Sequence, residues 1–128
     1  MTTIISMCRI ASILLFMSSI CMGSGVAVEE KTQEIVGRLS RGMSRPEVEA
    51  TLRKLGTTDP NYLPRRALVR LYGDEWAHSH PDVEGRLFAT IEKVDSHIIT
   101  VTDLSIEIDI DADNKMSEVR VKAVEVGP

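Results

Sequence analysis

The second half of the chain alternates apolar and polar residues with the two-residue period of β-strands. Apolar residues recur at every other position in three runs: Leu87, Ala89 and Ile91; Leu104, Ile106, Ile108 and Ile110; and Val119, Val121 and Ala123. This alternation predicts antiparallel strands that bury one face. In the middle run, the residues between the apolar ones are Ser105, Glu107, Asp109 and Asp111. The pattern therefore predicts a sheet with one apolar face and one wet face.

Turn residues separate the predicted strands. Asp95-Ser96-His97 predicts a turn before an apolar strand over Ile98–Val101, and Ala112–Lys115 predicts a hairpin turn. Ile99 and Val101 occupy odd positions, whereas the apolar residues from Leu104 onward occupy even ones. Because a one-residue shift moves a side chain to the other face, we expect a bulge, bend or strand break near Thr102–Asp103.

The first half of the chain contains one short helix whose two ends are both marked in the sequence. Ser44 is suited to cap the helix and, with Glu47, to form a reciprocal capping box, in which each side chain binds the other residue's amide. Val48, Leu52 and Leu55 recur at helical spacing, and Gly56 is suited to end the helix in a left-handed conformation. We therefore predict a helix from Ser44 to Leu55.

The remaining segments of the first half are assigned from weaker patterns. Residues Val28 to Leu39 predict a first helix, which a short linker joins to the capped helix as an αα-hairpin. Residues 57–64 and 73–82 predict loops because proline, glycine and polar residues are frequent there. The segment 65–72 fits both a short helix and a strand, and we favour the helix.

These elements predict an α+β fold in which the N-terminal αα-hairpin packs on a three- to four-stranded antiparallel β-sheet as two layers. The stretch Gly42-Met43-Ser44-Arg45-Pro46-Glu47-Val48 and the closing stretch Ile108 to Val119 resemble the SmpA/OmlA-type domain, an outer-membrane assembly lipoprotein-like family with the fold of the β-lactamase inhibitory protein. The resemblance covers these two stretches only. It implies the same small α+β fold and a role in envelope assembly.

Residues 1–27 have the pattern of a secretory signal peptide. One charge, Arg9, precedes an apolar run from Ile10 to Met22, and small residues at 25 and 27 predict cleavage before Val28. The single domain is then 28–128. Two alternatives stay open: an uncleaved anchor, and lipidation of Cys21. Both cysteines of the chain, Cys8 and Cys21, lie in this leader, so the predicted domain has no disulfide.

The charge balance argues against nucleic acid as a partner. Arg9 is one of 15 basic residues, so the predicted domain keeps 14 basic and 19 acidic residues, with a formal charge of −5. Such a surface repels phosphate backbones. Arg65-Arg66 and Arg53-Lys54, the longest basic clusters, are too short for a nucleic-acid footprint and predict solvated faces.

One polar segment holds candidate metal ligands. Asp74, His78, His80 and Asp82 combine imidazole and carboxylate groups, which bind zinc and other divalent ions. Their spacing matches no known signature, and an exposed polar loop explains the same residues. Asp109, Asp111 and Asp113 begin like a calcium loop, but position 12 holds Arg120 in place of glutamate, so a hairpin is predicted there.

The sequence predicts a binding protein rather than an enzyme. Residues 28–128 contain no cysteine, no G-x-S-x-G elbow, no glycine-rich phosphate loop and no H-E-x-x-H motif, and no cofactor is expected. Tyr62 and Trp76 fall in predicted loops, where aromatic residues often contact protein partners. We expect a periplasmic or secreted module that binds another envelope or secreted protein, with membrane association only through a retained or lipidated leader. The alternative is a metal-binding or metal-sensing protein that uses the 74–82 loop.

Overall fold

A computed structural model of the chain describes residues 26–96 and 99–127. Its helices are α1 (Val26–Arg38), α2 (Arg45–Lys54), α3 (Arg65–Tyr72) and α4 (Asp74–Ser79). Its strands are β1 (Asn61–Pro64), β2 (Gly85–Ser96), β3 (Val101–Ile110) and β4 (Met116–Val126). The strands pair in chain order as one four-stranded antiparallel sheet. The predicted α+β class is confirmed. Residues 65–72, whose sequence fitted both a helix and a strand, form a helix.

One face of the sheet is apolar across three strands, as the alternation predicts. Leu87 pairs with Ile108, which pairs with Val119. The neighbouring rows are Ala89, Ile106 and Val121, and Ile91, Leu104 and Ala123. Residues directly opposite one another in an antiparallel pair point to the same face. All of these side chains are buried except Ala123, which is partly buried. We call this surface the core face.

The core face belongs to a larger cluster that includes helical residues. Val28, Ile35 and Leu39, from α1 and its end, and Val48, Leu52 and Leu55, from α2 and its end, are buried in the same apolar cluster. Each fully buried Leu, Ile or Val contributes about 1.5–3 kcal/mol relative to an exposed one. The main apolar cluster therefore contains buried residues from α1, from α2 and from strands β2 to β4.

The capped helix is present as Arg45–Lys54, with the predicted end residues Ser44 and Leu55 as its caps and one difference at its start. Ser44 is the N-cap, and its hydroxyl accepts from the Glu47 amide at 3.4 Å. The Glu47 carboxylate accepts from the Ser44 hydroxyl at 3.0 Å rather than from the Ser44 amide, so only one of the two expected side-chain-to-amide bonds forms. Gly56 follows the helix with φ +90°, in the predicted left-handed conformation.

The predicted irregularity near Thr102–Asp103 is present, but the extra residues lie on the neighbouring strand. Three residues of β2, 92–94, face the single residue Asp103 of β3. Lys93 has φ +55°, and its amide donates to the Asp103 carboxylate at 2.9 Å. Strand β3 begins only at Val101, and Ile99 before it is 72% exposed. The bulge therefore changes the register of β2, while β3 keeps its phase from Thr102 to Ile110.

Two predicted loops contain regular structure. Asn61–Pro64 is strand β1, which pairs with the first four residues of β2. The prediction missed it because a four-residue strand that follows one proline and ends in another has no visible periodicity, and its pairing partner lies more than 20 residues away. Asp74–Ser79 is helix α4 rather than part of a long loop. The hairpin turn at 112–115 is confirmed, with the Asp111 carboxylate accepting from the amides of Asp113 and Lys115.

Candidate functional site

The face of the sheet opposite the core face carries a row of charged residues. Arg86 pairs with Asp109, which pairs with Glu118, and Glu107 pairs with Arg120 in the next row. Each is one position away from a core-face residue, so all five side chains point away from the main core. We call this surface the second face.

Asp109 is the centre of an ion network on the second face. Its carboxylate accepts from Arg86 Nε at 2.7 Å and from Arg120 Nη2 and Nη1 at 2.8 and 3.0 Å. Glu107 lies 3.3 Å from Arg120 Nε and 3.7 Å from Arg86 Nη1, and Glu118 lies 3.6 Å from Arg120 Nη1. The side chains of Asp109 and Arg86 are only 2% and 6% exposed. The prediction of a wet face is therefore wrong at Asp109, which is buried and fully paired.

The environment of Arg120 keeps this network charged. Burial alone would lower the pKa of Arg120, but the hydrogen bond and charge of Asp109, together with the charges of Glu118 and Glu107, raise it above its ordinary value. A group whose pKa is raised on folding adds stability that is complete below its unfolded pKa and is lost only as pH rises through the folded pKa. Arg120 therefore remains charged, and its contribution remains constant, across the neutral range.

Aromatic rings from α3 and α4 lie over the Arg86 end of the network. The Arg86 guanidinium carbon is 5.6 Å from the Tyr72 ring centroid and 5.4 Å from that of Trp76. Trp76 also stacks on His80, with ring centroids 4.9 Å apart and ring planes 15° apart, and contacts Tyr72 at 5.7 Å. Both arginine contacts fall within the range of cation–π attraction. The Arg86 side chain next to these rings is only 6% exposed.

Arg65 fixes helix α4 in place. Its guanidinium donates to the backbone carbonyls of Ala77, His80 and Val83 at 2.7 to 2.9 Å, and its amide donates to the carbonyl of Glu84 at 2.7 Å. Three of these acceptors lie in or directly after the segment predicted as a free loop. The prediction that Arg65 belongs to a solvated basic pair is wrong, because its side chain satisfies carbonyls that the end of a short helix leaves unpaired.

The two aromatic residues predicted to bind a partner lie on different faces of the sheet. Tyr62 pairs with Leu87, so it points to the core face, where it is half-buried against the main core and stacks under Arg45 at 3.9 Å. Trp76 contacts Arg86 on the second face. The structure therefore does not bring Tyr62 and Trp76 into one surface, and Trp76 contacts Tyr72, which is 42% exposed.

The four candidate metal ligands do not converge. Asp74 is at the start of α4 and His78 near its end, and both are exposed, as is Asp82 in the following turn. His80 is half-buried, with its ring stacked on Trp76 and Nδ1 2.9 Å from the Trp76 carbonyl oxygen. Across residues 26–96 and 99–127, no group of three or more His, Cys, Asp or Glu side chains is placed to hold a metal ion. Asp74 and His78 are four residues apart on α4, but His80 and Asp82 lie beyond its end, and the His80 ring stacks on Trp76.

The most exposed apolar residues near the network are at the junction of α3 and α4. Leu71 is 63% exposed and Tyr72 is 42% exposed, and Gly73 turns the chain with φ +94°. No helix within the described part of the chain is both long and apolar enough to span a membrane. The sequence pattern could not identify this junction as exposed, because α4 was not predicted.

Comparison with known proteins identifies no relative. No family model, no curated protein and no solved structure matches this chain.

Proposed function

We propose that this chain is a non-catalytic protein-binding module of the periplasm or the secreted space. The proposed domain, 28–128, follows a signal peptide at 1–27 and has two layers, with the αα-hairpin of α1 and α2 packed on the core face of the sheet. The resemblance of residues 42–48 and 108–119 to SmpA/OmlA-type domains supports a role in envelope assembly. The outward surface used for binding is then the second face with α3 and α4.

One observation carries this proposal: exposed apolar residues lie next to aromatic rings that contact the buried Arg86–Asp109 pair. Leu71 and Tyr72 are exposed, while the neighbouring Trp76 is held by contacts with His80, Arg65 and Arg86. Tyrosine, tryptophan and arginine dominate the energetics of protein interfaces. A surface that is already ordered loses less conformational entropy on binding, so even a small contact area gives useful affinity.

Photo-crosslinking in the exporting cell tests this proposal. A photoreactive phenylalanine analogue replaces Leu71, and the matched control carries it at Ala50, an exposed position on α2. We expect a discrete crosslinked protein from position 71 that is absent from position 50 and is lost with Trp76→Ala. Equal crosslinking at both positions, or none at position 71, would contradict the proposal.

Three further measurements support the interpretation of that experiment. Leu71→Asp removes the apolar contact at a 63% exposed side chain without disturbing the core, so it separates lost binding from lost folding if Trp76→Ala unfolds the domain. The intact mass of the exported protein distinguishes cleavage before Val28, a retained leader and a lipid on Cys21. Stoichiometric zinc in a monomeric protein that crosslinks to nothing would favour a metal-binding function instead.

A further inference from the structure

Strand β4 lies at one edge of the sheet, and only its start is covered on the outer side. There, the Met116 amide donates to the Met43 carbonyl at 2.8 Å, and the Met116 carbonyl accepts from the Gly42 amide at 2.9 Å. The chain then turns away at Gly42, which has φ +94°. Among the described residues, none outside β3 forms a hydrogen bond with the backbone of residues 118–126. We call this stretch the free edge.

The hydrogen bonds of β3 show which backbone groups of the free edge point outward. The Ile110 carbonyl accepts from the Glu84 amide, on the β2 side of β3. Successive residues of a central antiparallel strand bond alternately to its two neighbours, so the next alternate set of β3 bonds to β4: Asp109, Glu107 and Ser105. Their partners in register are Glu118, Arg120 and Lys122. The residues between these partners therefore direct their amides and carbonyls away from the sheet: Val119, Val121 and Ala123.

The other edge of the sheet is protected in ways that the free edge is not. β1 pairs with residues 85–88, and the Thr90 amide donates to the Thr58 hydroxyl at 3.1 Å. The bulge at 92–94 then interrupts the regular pairing of β2. The free edge contains no proline, and its register with β3 is unbroken from Glu118 to Val126. A long, regular edge of this kind is a template for pairing with another chain.

The side chains of the free edge indicate what kind of strand fits it. On the second face, Glu107 of β3 is directly opposite Arg120, and Lys122 follows on the same face and is exposed. Opposite charges across a strand pair attract, so acidic residues also fit opposite Arg120 and Lys122 on the outer side. On the core face, Val119 and Val121 continue the apolar rows of the sheet. Apolar residues fit beside them.

We propose that the free edge binds an extended segment of another polypeptide as a fifth strand, antiparallel to β4, in which apolar residues alternate with acidic ones. β3 has this composition and already pairs with β4 on its inner side. The direction continues that of the linker before α2, where Ser44 pairs antiparallel with Lys115. Because α3 and α4 lie at the Arg86 end of the sheet, this surface is separate from the one in the proposed function.

A synthetic peptide with the sequence of residues 102–110, blocked at both ends, tests the proposal on the purified chain. Amide NMR follows the titration, and we expect a Kd of about 0.1–1 mM, because a short segment must be ordered on binding. Near saturation, hydrogen exchange should slow at least about tenfold at the outward amides, those of Val119, Val121 and Ala123. The amides of Glu118, Arg120 and Lys122 already bond to β3 and should change little.

Two N-methylated peptides test whether the contact is a backbone ladder. The peptide residues opposite Val119 and Val121 are the apolar ones, and their amides face β4 because the valine amides face outward. Methyl groups on the amides of Ile106 and Ile108 should therefore abolish binding. The matched control carries methyl groups on the amides of Ser105 and Glu107, which face away from β4, and should bind like the unmodified peptide.

A charge reversal in the chain tests the side-chain preference. Lys122→Glu places a like charge opposite the acidic peptide and should weaken binding about fivefold. The matched control is Lys54→Glu, which makes the same change of net charge at an exposed position of α2 and should leave binding unchanged. Both substituted side chains are exposed, and circular dichroism verifies that both variants are folded.

Four outcomes would overturn the inference: no binding at about 5 mM peptide, slowed exchange at amides other than the outward ones, equal binding of the two methylated peptides, or equal weakening by Lys122→Glu and Lys54→Glu. Crosslinking at position 71 keeps the proposed function separate. A chain that binds no peptide but still crosslinks from position 71 retains that function and loses the fifth strand. A chain that binds the peptide but does not crosslink there shows the reverse.

Discussion

The substitution Asp109→Asn tests how much the buried ion network stabilises the second face of the sheet. Asp109→Asn keeps the shape of the side chain but removes the negative charge that two arginines share. Arg120 is 36% exposed and can regain water, so its lost pairing costs little. Arg86 is 6% exposed and lies under two aromatic rings, so it stays buried without its main counter-ion.

The magnitude follows from the burial of Arg86. Removing one partner of a buried ion pair costs about 3–5 kcal/mol, and the asparagine oxygen retains one acceptor, so we expect a loss of about 3 kcal/mol. For a domain of this size the urea dependence is roughly 1–2 kcal/mol per molar. The midpoint of urea unfolding should therefore fall by about 1.5–3 M.

Fluorescence of the single tryptophan offers a local assay. Trp76 lies 5.4 Å from the Arg86 guanidinium, so its emission reports the network, while far-UV circular dichroism reports the whole domain. The matched control is Glu118→Gln, which removes a 56% exposed carboxylate from the same network. We expect the control to change stability by less than about 0.5 kcal/mol.

A double variant identifies the source of the loss. If the cost arises from an unpaired buried cation, Arg86→Met combined with Asp109→Leu should recover most of the stability, because apolar replacements of buried ion pairs are often neutral. A loss below about 1 kcal/mol for Asp109→Asn would refute the reasoning. So would a double variant that is as unstable as the single one.

Three further substitutions test local features by urea unfolding of the same domain. Ser44→Ala removes the N-cap of α2 and should cost about 1 kcal/mol while leaving partner crosslinking unchanged; selective loss of crosslinking would show that the cap lies in the binding surface. Gly37→Ala should stabilise by about 0.5–1 kcal/mol, because Gly37 is helical and an added Cβ meets no atom within 4 Å. Gly85→Ala should destabilise by about 1–3 kcal/mol, because the new Cβ would overlap the Tyr62 ring. Equal effects of Gly37→Ala and Gly85→Ala would contradict the packing described for Tyr62.

The parts of the fold that the sequence predicts are those encoded by short-range patterns. Ser44 and Gly56 mark the ends of α2 through capping chemistry that depends only on neighbouring residues. The alternation from Leu104 to Ile110 is visible because one face of β3 is uniformly apolar. In both cases the stabilising contacts repeat at a fixed spacing along the chain, so the spacing alone identifies the element.

The candidate site depends on contacts that have no such spacing. Arg65 donates to carbonyls 12 to 18 residues away, and Arg86 meets Asp109 across 23 residues. Nothing in the local sequence distinguishes Arg65 from its exposed neighbour Arg66. Likewise, Asp109 and Glu107 occupy equivalent positions in the alternating pattern. Asp109 is buried only because residues distant in sequence pack over it. Long-range hydrogen bonds therefore decide which polar residues are structural and which are free.

The two faces of the sheet are stabilised by different kinds of interaction, and the proposed binding surface lies on the second face. The core face is held by apolar packing, and Tyr62 contributes there, where Gly85 leaves room for its ring. The second face is held by the Asp109 network, which Trp76 contacts through Arg86. Changes in the network should therefore weaken folding and binding together. Changes at Leu71, whose side chain is exposed, should weaken binding alone, and this difference distinguishes the recognition surface from the base that supports it.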